Sequence, residues 1–351
     1  MEKEFDLLVF VGRFQPFHLE HKRVIDIALQ KSKHVLVLVG SAGKARTIRN
    51  PFTFGERLNM IYDSFPEDIH GRLIILPLYD KTYNDAAWVK QVQKLVKDTT
   101  LDVMNPSGFM ASGYNDAKVG LIGASKDVAT AEYLDSFPQF ETVNVEIEAD
   151  VHATEIRESF FEDELVYSDA PLTGNVINWM NEFTLTDECE ALRREYWHVK
   201  NYKKQWEAAP YPPIFVTTDA VVACSGHVLL VTRRAEPGRG LLALPGGFLN
   251  QSEKLIDGTI RELKEETKIK VPEAVLRGSI TKQKTFDDPH RSSRGRTITH
   301  ASLIDLGHGK LPKVKGSDDA IHADWYNIAE LTEDRLFEDH YAIIQTMLEL
   351  G

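Results

Sequence analysis

Between Gly247 and Ile269 the chain reads GFLNQSEKLIDGTIRELKEETKI, and this stretch limits the fold more than any other. Its periodicity predicts a helix from Ser252 to about Thr267, with Ser252 as N-cap and Glu253 where a helix N-terminus favours negative charge. Leu255, Ile256, Ile260 and Leu263 form an apolar stripe, so one face of the helix must be covered. Glu262, Glu265 and Glu266 then fall at i, i+3 and i+4, on one side. Like charges so placed repel each other. A hard divalent cation with oxygen ligands, most simply Mg²⁺, removes that penalty. Arg261 can pair with a neighbouring carboxylate such as Glu253, and Gly246 and Gly247 allow backbone to approach a ligand closely.

A solvated acidic face would explain RELKEE taken alone. The whole stretch, however, resembles the Nudix box through Gly247, Glu253, Arg261, Glu262, Leu263, Glu265, Glu266 and Ile269, with Lys268 in place of the final glycine. The resemblance implies an α/β/α fold with a mixed sheet and hydrolysis of a nucleoside diphosphate linked to another group. Glu262, Glu265 and Glu266 would hold Mg²⁺, or Mn²⁺, that activates water. The general base stays open between Glu262 and an acidic residue elsewhere. The Lys268 replacement bears on the helix C-cap rather than on the chemistry.

The chain has 351 residues, which suggests two domains. A net charge of −12 argues against a general nucleic-acid or membrane binder, so phosphorylated substrates would need local basic pockets. Two cysteines in different regions suggest neither a disulfide framework nor a zinc site. The acidic start MEKEFDLLVFVG reads as the approach to a strand rather than a signal peptide, and a cytoplasmic protein is expected.

The first half alternates buried strands (6–12, 34–40, 72–78, 118–124, 142–147) with helices (19–32, 54–65, 85–98 and one from about Lys126). That order predicts a parallel sheet covered on both faces, with ligands beyond the carboxyl ends of its strands. The first strand runs into GRFQPFHLEH. His18 and His21 sit three apart at a helix start, where N–H groups already face an anion, and Arg13 adds a forked cation. Two surface histidines capping a helix is the plain alternative. The stretch resembles the HxGH signature of the nucleotidylyltransferase superfamily and, through GRFQPFH, its archaeal-type nicotinamide mononucleotide (NMN) adenylyltransferases. Glu20 replaces the usual glycine.

The second signature of that superfamily resembles HATEIRESF, where Thr154 can cap a helix and Ile156 and Arg157 follow. A basic loop, GSAGKARTIRNPFTFGER (40–57), carries Lys44, Arg46, Arg49 and Arg57. The resemblance implies a Rossmann-like fold in which His18, His21, Arg46 and Arg157 assist direct transfer from ATP. Gly12, Arg13, Phe14, Arg49, Thr154 and Ile156 would then help bind the nucleotides, and Asn84 and Trp88 the nicotinamide ring. Trp88 could equally be core, since it shares helical spacing with Val92 and Leu95.

The expected boundaries are 1–184 for the first domain, 185–211 for a helical join ended by APYPP (209–213), and 212–351 for the second. In the latter, strands are expected at 215–223, 228–233, 275–285, 297–306 and 323–326, with a final helix from about Asp339. The segment TFDDPHRSSRGRTITH (285–300) resembles its counterpart in Nudix proteins acting on ADP-ribose. Its Arg291, Arg294 and Arg296 would suit the second phosphate or terminal ribose. Together these resemblances imply two activities. One makes NAD from NMN and ATP, and the other cleaves ADP-ribose to AMP and ribose 5-phosphate. Two readings stand beside them: a second domain that senses ADP-ribose without cleaving it, and a first domain that adenylylates another phosphate. The expected partners are small nucleotides, and a homo-oligomer is compatible with the sequence.

Overall fold

A computed structural model describes residues 3–105, 117–124, 136–149, 151–162, 166, 168–317 and 320–350. The chain divides into two compact units, Met1–Leu192 and Arg193–Gly351. The division falls inside the segment expected as a join, within the helix Asp187–Lys204. The helix expected from about Lys126 lies outside the described residues.

The first unit is built on a five-stranded sheet. In chain order its strands are β1 (Phe5–Gly12), β2 (Ser32–Val39), β3 (Leu73–Pro77), β4 (Val119–Gly123) and β5 (Glu141–Asn144). Their spatial order is β3-β2-β1-β4-β5, and every pairing is parallel. The order reverses direction beside β1, which places the crevice at the carboxyl ends of β1 and β4. Leu7, Val9, Leu36, Leu38 and Leu121 on one face of the sheet pack against Val92 and Val96 of the helix Asp85–Met104. A helix the sequence reading did not separate, Gly174–Phe183, is capped by Thr173.

The second unit holds a seven-stranded mixed sheet: β6 (Phe215–Cys224), β7 (His227–Arg233), β8 (Leu242–Ala243), β9 (Gly246–Phe248), β10 (Ile280–Phe286), β11 (Thr297–Asp305) and β12 (Ala320–Asn327). The main path runs β10-β11-β6-β7-β12, with β8 on β7 and β9 on β6. β11 and β6 are parallel and the other pairs along the path antiparallel. Ser225 and Gly226, at φ 47° and 74°, form the tight β6–β7 turn, a left-handed pair that suits hairpin twist. The helix Leu255–Thr267 lays Ile260 and Leu263 on Ala220, Val222 and Leu229 of the sheet.

Two local expectations are corrected. Residues 275–278 are not strand. Pro272 opens a short helix, Glu273–Gly278, that buries Leu276, and β10 begins only at Ile280. The carboxylate helix starts at Leu255 with Lys254 as N-cap, not at Ser252. The reason is Glu253, whose carboxylate is held by Arg261 and by the Asn250 N–H, which keeps the preceding turn out of the helix.

Candidate active sites

In the first unit the end of β1 is tied to the end of β2 by the Gly40 N–H, which donates to the Gly12 carbonyl at 2.8 Å. Phe14 follows at φ 52°, turning the chain toward the helix Leu19–Lys31. His18 is the N-cap of that helix. The His21 N–H donates to His18 Nδ1 and the His18 N–H to His21 Nδ1, at 3.4 and 3.3 Å. The two rings stack with centroids 3.5 Å apart. Since each Nδ1 accepts a hydrogen bond, each neutral ring carries its proton on Nε2. His18 is 5% exposed. Glu20 pairs with Arg23, which also reaches Glu148, so its charge is already matched.

Several guanidiniums gather around the loop that follows β1. Arg13 donates to the Arg49 carbonyl and to Asn50 Oδ1, and its buried Nε has no hydrogen-bond partner. Arg157 reaches across to the Gln15 carbonyl at 2.8 Å and to Thr154 Oγ1 at 3.1 Å. Arg57, fully buried, donates to the carbonyls of Arg13, Gly40, Ser41 and Thr53 and so shapes the loop. Burial, then the charges of Arg49, Arg157 and Arg57, push Arg13 down to about 9. Burial and Arg49 push Arg157 down to about 10. Buried cations that also repel one another form a ready receptor for a polyanion.

Other expected residues of this unit have different surroundings. Arg46 makes a two-pronged ion pair with Glu56 at 2.6 and 2.7 Å and lies over the Phe183 ring. Arg49 is exposed. Thr154 lies inside the first turn of the helix Ala153–Glu162 rather than at its cap, because the bonding already starts from the His152 carbonyl. Ile156 is half-buried. Asn84 caps the helix Asp85–Met104 with its side-chain oxygen, and Trp88 packs on the core beside Phe137.

In the second unit Arg261 gathers carboxylates. Nε and Nη2 meet Glu253 at 2.8 and 2.9 Å, and Nη1 bonds Glu262 at 2.8 Å and Glu265 at 3.0 Å. Glu266 accepts the Gly246 N–H at 3.0 Å. A Cβ on Gly247 would lie 2.5 Å from Glu262 Oε1, and one on Gly246 2.4 Å from Asp219 Oδ1. A Cβ on Gly246 would also lie 2.3 Å from the Thr218 carbonyl, so backbone itself requires glycine there, whereas at Gly247 the nearest atoms belong to the movable Glu262 carboxylate. Lys268, standing where the box has glycine, closes the helix in the left-handed region at φ 45°.

Burial raises Glu262. Burial raises Glu266 to about 8, with added repulsion from Glu262 and Asp219. Among the described residues no three His, Cys, Asp or Glu groups already stand at metal-holding spacing. The donor set nevertheless fits a divalent cation: hard, mutually repelling oxygens, with Glu266 buried and Glu265 half-exposed, beside the Thr218 hydroxyl, which is buried without a partner opposite Gly247.

Asp219 escaped the sequence reading. The available signal was one carboxylate inside the otherwise uncharged strand FVTTDAVVAC. Its side chain accepts the Thr299 hydroxyl. Arg291 is also placed differently from expectation. Both prongs of its guanidinium meet Asp339 at 2.9 Å, and the pair is almost completely buried, which makes Arg291 a strut and not an open phosphate donor. Arg294 lies 5.1 Å over Phe248 and 4.0 Å from Glu338, and Arg296 donates to the Asp287 carbonyl.

The Cytidylyltransferase-like family model matches residues 9–159 and the NUDIX domain model residues 215–347. A nicotinamide/nicotinic acid mononucleotide adenylyltransferase of Acinetobacter baylyi is 36% identical over 194 residues, which is 55% of this chain and 94% of that protein. An ADP-ribose pyrophosphatase of Methanocaldococcus jannaschii is 32% identical over 134 residues, 37% of this chain and 70% of that one. The crystal structure of a bifunctional NMN adenylyltransferase/ADP ribose pyrophosphatase from Francisella tularensis, complexed with AMP and a Mn ion, superposes with a TM-score of 0.88 at 34% identity. It covers 99% of both chains.

Proposed function

The chain belongs to the family of bifunctional proteins that join an NMN adenylyltransferase to a NUDIX ADP-ribose pyrophosphatase, and on that premise we propose that it both makes NAD and hydrolyses ADP-ribose. The observation that carries this is a pair of opposite charge clusters. In the first unit, buried guanidiniums carry more positive charge than nearby anions match, beside two imidazoles that keep an Nε2–H to donate. In the second, buried carboxylates have too little.

In the first unit an oxygen of the NMN phosphate attacks the α-phosphorus of ATP. The bond to the β-phosphate oxygen breaks and pyrophosphate leaves. No side-chain nucleophile is needed, so catalysis is positioning and charge stabilisation. The Nε2–H groups of His18 and His21 donate to the phosphate oxygens on which charge develops. Arg13 and Arg157 hold the leaving pyrophosphate. Arg46, engaged by Glu56, orients the 46–57 loop. The amide of Asn84 is left to bind the nicotinamide carboxamide, since its oxygen caps the helix.

In the second unit Glu262, Glu265 and Glu266 would hold Mg²⁺ or Mn²⁺, which supplies an activated water and neutralises the diphosphate. The chain's own contribution is orientation. Arg261 and Glu253 fix the direction of the helix carboxylates, and Gly246 and Gly247 keep the space in front of them clear. Water adds to one phosphorus of ADP-ribose, the bond from that phosphorus to the bridging oxygen breaks, and AMP and ribose 5-phosphate leave.

The decisive experiment incubates the purified chain with Mg²⁺ and either NMN plus ATP or ADP-ribose, alongside Glu266→Gln. NAD should form in both proteins, and AMP should be released from ADP-ribose only by the unaltered one. Absence of NAD sinks the first assignment. Equal AMP release by the variant sinks the second.

A further inference from the structure

Gln15 lies in the loop between β1 and the helix Leu19–Lys31, in sequence between Arg13 and His18, and is 2% exposed. A buried primary amide has a donor end and an acceptor end, and both need partners. Here both meet one residue. Gln15 Nε2 donates to the Phe52 carbonyl at 2.8 Å, and Gln15 Oε1 accepts the Phe52 N–H at 3.0 Å. The side chain thus takes the place of a neighbouring strand, exchanging two hydrogen bonds with a single residue. The main chain of Gln15 is engaged too, since its carbonyl accepts from Arg157 Nη1 at 2.8 Å.

The partner is firmly held. Phe52 is buried, and its ring meets Trp179 and Phe183 edge-on with centroids 5.3 and 5.5 Å apart. The residues on either side of Phe52 lead to further groups of the site. The Pro51 carbonyl accepts from Arg46 at 2.6 Å, and Thr53 caps the helix Phe54–Tyr62. That helix carries Arg57, which donates to the Arg13 carbonyl at 2.6 Å. Gln15 therefore joins the loop after β1, the 46–57 loop and the helix that bears Arg157, which are distant from one another in the chain. The amide length and chemistry both matter. Asparagine is one methylene shorter, and a carboxylate would set an oxygen against the Phe52 carbonyl.

We propose that Gln15 is a positioning residue of the adenylyl transfer. Its amide sets the loop of Arg13 and His18 against the 46–57 loop, and its carbonyl sets Arg157 against both. The proposal rests on the adenylyltransferase reading above and adds the group that keeps the phosphate-handling side chains in register. Gln15 acts only through the groups it holds. A shift of about 1 Å at a distance from the chemistry can cost about 10²-fold in rate, so the effect belongs in kcat.

The test uses the full chain with Gln15→Glu and Gln15→Ala, and measures NAD formed from NMN and ATP with Mg²⁺ between about pH 6 and about pH 8.5, the range in which a buried carboxyl titrates. Each rate is divided by that of the unaltered protein at the same pH, which removes the titration of the substrates and imidazoles. An ionised carboxyl at this position lacks the donor, whereas a neutral one regains an O–H donor beside its carbonyl acceptor. At about pH 8.5 Gln15→Glu should lower kcat by about 10- to 100-fold and leave both KM values within about three-fold. Its relative kcat should climb at least about five-fold on acidification to about pH 6, while that of Gln15→Ala stays low throughout. Circular dichroism melting at each pH shows whether the variants are folded at the assay temperature. If Gln15→Ala is unfolded, Gln15→Glu decides alone, because its two protonation states are compared within one protein. A loss that follows only the unfolded fraction would mean a structural role and overturn the proposal. A relative kcat of Gln15→Glu that does not respond to pH would overturn it as well. If the unaltered chain forms no NAD, the adenylyltransferase reading fails and the proposal with it. If the chain forms NAD and both variants match it, only the proposal fails.

Discussion

Arg261 and Glu253 face each other through two near-parallel hydrogen bonds of 2.8 and 2.9 Å across the turn before the carboxylate helix. The same guanidinium reaches Glu262 and Glu265, so Glu253 acts on the cation site at one remove. Glu253→Ala should weaken Mn²⁺ binding by about ten- to 100-fold, as is usual for groups that orient metal ligands. Calorimetric titration of the full chain measures this, and NAD synthesis serves as the internal control and should not change.

His18 combines two roles that one substitution can separate. Asparagine is among the best N-caps, whereas alanine leaves the first-turn N–H groups without a side-chain acceptor. His18→Asn should keep the melting temperature close to normal while NAD formation falls by about 10²- to 10³-fold, the loss typical of a removed charge-stabilising donor. His18→Ala should lose the same activity and about 1 kcal/mol of stability in addition. Near-normal NAD synthesis by either variant would remove His18 from the chemistry.

Lys268 closes its helix at φ 45°, a backbone region that costs a side-chain-bearing residue about 1–2 kcal/mol and glycine almost nothing. Glycine loses more freedom on folding, by roughly 0.5–1 kcal/mol. Lys268→Gly should therefore stabilise the second unit by about 0.5–1 kcal/mol. Urea unfolding detects the gain, and ADP-ribose hydrolysis should be unaltered.

Acid should loosen the first unit partly through Glu56. Burial alone would raise this carboxyl, but its bonds from Arg46 and the Thr53 N–H outweigh burial and hold it below its ordinary 4.5. A carboxylate whose folded value is depressed contributes stability that is fully present above the unfolded value and disappears as pH falls through the folded one. Glu56→Gln should thus lower the melting temperature at pH 7, and the gap should start to close as pH falls below the ordinary 4.5 and disappear once the folded carboxyl is protonated. A gap that does not narrow on acidification would assign the effect to packing.

Much of this was legible because it follows from periodicity. The alternation through β1, β2 and the helices between them fixed a parallel sheet. The spacing of Glu262, Glu265 and Glu266 fixed one helix face, and Ser225-Gly226 marked a hairpin. What stayed hidden depends on contacts between residues far apart in the chain. Nothing local says that Arg291 is claimed by Asp339, 48 residues on, or that Arg157 reaches the Gln15 carbonyl 142 residues back. The start of the carboxylate helix was misplaced for the same reason: Glu253 looks like a first-turn residue until its partner eight positions later is known.

Each imidazole at the mouth of the first sheet fastens the backbone N–H of the other. The groups assigned to phosphoryl chemistry are thereby also the staple that begins the helix Leu19–Lys31. Redesigning this half of the molecule for another reaction cannot treat the pair as removable tools. Any replacement must first supply a new way to start that helix, or the scaffold unravels at the place where the substrate is received.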